Sequence, residues 1–77
     1  MNGWLEDAIT MERRHILEGE KRVARQEALV AELIGKRRDD LARTAKDVLG
    51  ILRESLELSR TRLRTLEGGL CEPPNSN

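Results

Sequence analysis

The chain contains no phenylalanine and no tyrosine, and its whole aromatic content is one tryptophan, Trp4. The usual stacking platforms for single-stranded nucleic acid are therefore missing. One cysteine, Cys71, excludes an intrachain disulfide, and one histidine, His15, excludes a Cys/His metal framework. The two prolines, Pro73 and Pro74, stand together near the C-terminus, so nothing before them has to break a helix. Neither sign of charge is in excess: 14 Lys and Arg balance 14 Asp and Glu. The basic footprint of a nucleic-acid module is absent. No apolar run approaches the ~20 residues that cross a bilayer. Residues Met1 to Asp7 lack the basic segment and apolar stretch of a secretory signal, so a soluble cytoplasmic protein is expected. At 77 residues the chain makes one small domain, and small domains without staples are marginal. Helix packing, helped by association between copies, is the remaining route to stability.

Good helix formers dominate, and strand-type alternation is absent. Ile9, Ile16, Val23 and Val30 share one heptad position, and Leu5 and Ile34 fall on the same side. The spacing predicts a first helix over about 4–34. Gly35 is then the natural left-handed stop, with the turn over 35–39. Asp39 or Asp40 is expected to cap a second helix over about 40–67. There Ala42, Leu49, Leu56 and Leu63 hold one heptad position, and Ala45, Leu52, Ser59 and Leu66 the other. Gly68 and Gly69 are expected to end it. The folded domain is therefore read as 1–69, with 70–77 a disordered tail.

A short turn between long helices makes an all-α, antiparallel, coiled-coil-like hairpin. Residues whose numbers add to about 75 should then meet, so Val23 faces Leu52 and Ile9 faces Leu66. Between those layers helix 1 offers Gln26 or Glu27 to Leu49, Gly19 to Leu56 and Glu12 to Leu63. Helix 2 thus carries leucines that helix 1 is not expected to cover. A second copy covering them would complete a four-helix bundle. Ile51 and Leu58 lie one heptad apart on the other side of helix 2, in line with Thr44 and Thr65. Aligned apolar residues beside uncovered leucines mark a contact surface. The expected interaction residues are Leu49, Ile51, Leu56, Leu58 and Leu63, for a homodimer and for a protein partner.

The run from His15 to Leu33, with Gly19-Glu20 and the Arg22-Val23-Ala24-Arg25-Gln26 stretch, resembles the first helix of a family of short uncharacterised alpha-proteobacterial helical-hairpin proteins. Asp40-Leu41 through Ala45, Val48-Leu49, Leu52, Ser55-Leu56 and Arg62 are similar to that family's second helix. The resemblance covers about Met11 to Leu66. Its turn differs, because Lys36-Arg37-Arg38 is longer and more basic than the family's. The resemblance implies a fold and a compartment, and no activity.

Other constellations are weaker. Glu12 and His15 have the Glu-x-x-His spacing of ferritin-like di-iron bundles. The positions expected to face them, Ser59, Arg60, Leu63 and Arg64, supply two cations and no carboxylate, so no metal and no cofactor is expected. Arg13, Arg14, Arg60, Arg62 and Arg64 gather near one end, a belt able to hold an anion or a phosphate backbone. The interspersed Glu12, Glu57 and Glu67 favour a solvated surface instead. Gly19 costs about 0.5–1 kcal/mol relative to alanine unless Leu56 fills the space above it. Gln26 and Glu27 either set the register of the seam or line its edge. Cys71 has no basic neighbour to activate its thiol. One histidine supports no Ser/His/Asp set. The expected function is therefore non-enzymatic: self-association and protein–protein interaction, with a nucleic-acid-associated protein and a ferritin-like half bundle as the alternatives.

Overall fold

A computed structural model describes residues 3–71, with side chains from 3 to 69. It has two helices, α1 (Gly3–Gly35) and α2 (Asp39–Cys71), packed against each other. At ~1.5 Å per residue each helix is roughly 50 Å long. The molecule measures 55 × 25 × 12 Å. The smallest extent is that of a single helix, so the protein is one layer thick and both broad faces meet solvent.

The turn departs from expectation at its most constrained residue. Gly35 remains helical, and the left-handed position falls on Arg37, with φ 59°. The Arg38 amide donates to the Leu33 carbonyl at 2.9 Å and the Arg37 amide to the Ile34 carbonyl at 3.0 Å. That pair of bonds is the Schellman closure, with Arg37 one residue past the helix cap. It satisfies two carbonyls at the end of α1 that would otherwise lack partners. The Arg38 carbonyl accepts the first bond of α2, from Ala42 at 2.8 Å. Arg38 is thus the N-cap, and Asp39 and Asp40 occupy the first turn, where their charge complements the helix dipole. An arginine in the left-handed region carries a steric cost that glycine escapes. Arg37→Gly is expected to raise stability by about 1 kcal/mol and Arg37→Val to lower it, as read from urea midpoints at fixed protein concentration.

The seam between the helices follows the heptads. Leu5, Ile9, Glu12 and Val30 of α1 are buried, as are Ala42, Ala45, Leu49 and Leu56 of α2. Val30, Ala45 and Leu49 form the tightest cluster, with Val23 and Leu33 packed on it. Ile34, expected on the apolar side, is 50% exposed. The seven-residue spacing carries Gln26 to Leu33, and Ile34 rotates off the seam.

Leu49 and Leu56 were expected to lack cover from α1, yet they are only 7% and 8% exposed. Small residues explain the difference. A Cβ added at Gly19 would stand 3.1 Å from Leu56 Cδ1, so the glycine admits that leucine against the α1 backbone. At Ala45 the short side chain lets Gln26 Nε2 reach the Ala45 carbonyl at 2.9 Å, and Leu49 packs beside it. Gln26 therefore fixes register, while Glu27 stays exposed and pairs with Arg53 at 2.7 Å. Leu63 is half-buried beside Ile16 and Leu17. Leu56 borders an open groove and has room to move. Gly19→Ala is accordingly expected to stabilise by about 0.5 kcal/mol, the helix-propensity gain exceeding the cost of moving one methyl. Gly19→Val should destabilise. The same urea titrations check both.

Helix α2 also runs past Gly68 and Gly69, which were expected to stop it. Leu5 Cδ2 lies 3.5 Å from where a Gly69 Cβ would be, so α1 packs against this last turn. Tertiary contact here overrides weak local propensity. Leu70 and Cys71 belong to α2, and the rest of the expected tail, 72–77, lies outside the described residues.

Candidate interaction faces

The two sides of the seam differ sharply. On one side charged residues link the helices. Arg13 pairs with Glu67 at 2.8 Å, Glu20 with Arg60 at 3.1 Å, and Glu27 with Arg53 at 2.7 Å. Each pair is exposed and individually contributes little. Together they oppose sliding, since a slip of one heptad would set Arg13 against Arg60.

The other side holds an open groove of about 260 Å³, with Gly19 and Leu56 among its lining and His15, Arg22, Ser55 and Arg62 around them. Toward the turn this side becomes apolar: Leu29, Leu41 and Val48 are 41%, 51% and 40% exposed. Ile51 and Leu58 continue it, four and three residues from Ser55, and both remain open to solvent. The rows Leu41, Val48, Ser55, Arg62 and Thr44, Ile51, Leu58, Thr65 interleave at spacings of three and four. They form a second complete seam on α2, offset by one residue from the buried seam. Of these eight residues only Arg62 is charged. On the opposite flank Arg43, Lys46, Arg53, Glu57, Arg60, Arg64 and Glu67 are charged and Gly50 alone is not. Reading Ile51 and Leu58 as a lone pair misses Leu41 and Val48. The signal that finds them is the contrast in charge between the two flanks.

Arg62 belongs to this side and also answers the one buried carboxylate among the described residues. Glu12 is 6% exposed, and Arg62 Nη1 lies 3.3 Å from both of its oxygens. His15 Nδ1 is 3.9 Å from Glu12 Oε2. Arg62, and not Arg60 or Arg64, thus meets the Glu-x-x-His pair. Arg60 turns to Glu20 and to Glu57 at 3.6 Å, and Arg64 to the Thr61 hydroxyl at 3.3 Å. Four of the five belt arginines are therefore committed to neighbours, which leaves little of an anion-binding belt. Among the described residues no three His, Cys, Asp or Glu side chains converge as a metal site. Among them, too, no helix is long and apolar enough to cross a membrane.

At the turn, Lys36 Nζ donates to Glu32 Oε2 at 2.8 Å. That hydrogen bond holds the Glu32 carboxyl below its ordinary pKa and the Lys36 ammonium above its own. The pair's support for the end of α1 is lost as pH falls through the lowered Glu32 value. It is lost again as pH rises through the raised Lys36 value.

No family model, curated protein or solved structure matches the chain.

Proposed function

We propose that the protein is a non-enzymatic association module, an antiparallel helical hairpin that pairs with a second copy into a four-helix bundle and acts through protein–protein contact. The observation that carries this reading is the second seam of α2. A helix with one buried seam and one charged back needs a single neighbour. A helix with two seams about 100° apart fits the corner of a bundle and needs two. Among the described residues only one neighbour lies within this chain. The antiparallel arrangement is supported by the ion pairs between early α1 and late α2, Arg13 with Glu67 foremost.

Leu49 and Leu56 support the hairpin itself, because α1 already covers them. The association role passes to Ile51 and Leu58, 65% and 59% exposed, together with Val48 and Leu41. Four of the five belt arginines are answered by carboxylates or a hydroxyl, which takes support from the nucleic-acid alternative. Arg62 against Glu12 does the same to the ferritin-like one.

Sedimentation equilibrium tests the reading. The chain is expected to run as a dimer at tens of micromolar. Ile51→Glu with Leu58→Glu is expected to yield a helical monomer. A wild-type monomer at high micromolar concentration would defeat the proposal, and so would a dimer untouched by both charges.

A further inference from the structure

Self-association specifies no geometry, and two exchange patterns suit a pair of one-layer hairpins. Either α1 of one copy lies on α2 of the other, or like helices stack on like. Resting on the association reading, we infer that a second copy of this chain docks on the groove side with α2 on α2 and α1 on α1, each pair antiparallel. The two-fold axis crosses the helices near residue 53 of α2 and residue 20 of α1.

Self-complementarity carries the choice. About that axis Val48 of one copy meets Leu58 of the other, and Ile51 meets Ser55. Arg62 meets uncharged Thr44, with Asp40 and Asp47 one turn away on the flank. A parallel α2 pair would instead set Arg62 beside its own counterpart. The groove side of α1 has a polar middle and apolar ends, and the same axis matches that pattern too. Met11 of one copy meets Leu29 of the other, and Glu18 meets Arg22. Met11 is 57% exposed within one hairpin. The two crossing points lie at one height, because Gly19 stands beside Leu56 and Gln26 reaches Ala45. One two-fold axis therefore satisfies both helix pairs. The face it covers belongs to a molecule 55 Å by 25 Å, larger than the ~800 Å² per partner of a standard stable interface. The ion-paired side stays outward, with Arg13, Arg53 and Arg60 already matched by carboxylates of the same chain.

Spin labels test the arrangement in the full chain. Cysteine is introduced singly as Glu54→Cys, Asp47→Cys and Asp40→Cys in a Cys71→Ser background. All three positions flank the second seam without entering it. Dipolar distances between the copies are then measured. At ~1.5 Å per residue, like positions separate along the axis by about 3, 18 and 39 Å in that order. The expected result is that rise from Glu54 to Asp40. Equal distances at all three sites in a sedimenting dimer would place α1 on α2 or make the α2 pair parallel. Either overturns this arrangement and leaves the association reading standing. No coupling at any site, with a monomer by sedimentation, overturns both.

Discussion

Leu49→Ala is expected to cost about 2–5 kcal/mol, most of the stability of a domain this small. Leu49 is 7% exposed and sits with Val30 and Ala45, with Val23 and Leu33 around them. Truncation removes its transfer free energy and leaves a void that Ala45, already small, does not fill. The helices are pinned nearby by the Gln26 bond to the Ala45 carbonyl, so the seam cannot collapse cheaply. Leu58→Ala is the contrast. Leu58 is 59% exposed within one chain, so the hairpin itself should change by less than about 0.5 kcal/mol. In the proposed dimer its loss should appear instead as weaker association. Urea unfolding followed by circular dichroism at two protein concentrations separates the effects. A loss below 1 kcal/mol for Leu49→Ala would mean that the seam is not the core described above.

Replacing the buried acid Glu12 should stabilise the protein, whereas removing its partner should not. Glu12 lies one turn from Ile9 and from Ile16 on the seam, its side chain 7% exposed, while that of Arg62 is 58% exposed. Glu12→Leu removes a desolvated carboxylate and leaves Arg62 in water, with an expected gain of about 1–3 kcal/mol. Arg62→Ala leaves Glu12 buried with only His15 close by, at 3.9 Å. The expected loss is about 1–3 kcal/mol, large for an exposed arginine. In the Glu12→Leu background Arg62→Ala should have almost no effect on hairpin stability, because the group it served is gone. The double-mutant cycle built from the four urea titrations measures that coupling. Additive effects would show that the pair does not act as a unit.

Amino-acid order alone determined the helices and most of their buried faces. Ile9, Val30, Ala42, Ala45, Leu49 and Leu56 lie on heptads legible by eye, because a helix buries one stripe and periodicity reveals it. The second seam was partly legible through Ile51 and Leu58. It needed the charges on the opposite flank of α2 to be read as one pattern. Closeness of approach was not legible. Heptads say which residues face each other and not how far apart the axes stand. Gly19 and Ala45 set that distance, and Leu49 and Leu56 became core instead of open surface. Helix α1 ends within a residue of expectation, whereas its left-handed position and the end of α2 do not follow local preference. Local preference put a left-handed glycine at Gly35 and an end at Gly68, yet the Schellman bonds placed Arg37 in that conformation. Packing of Leu5 on Gly69 kept the last turn helical. At the end of α2 a tertiary contact outweighs a preference worth about 1 kcal/mol, and at the turn local backbone hydrogen bonds outweigh it.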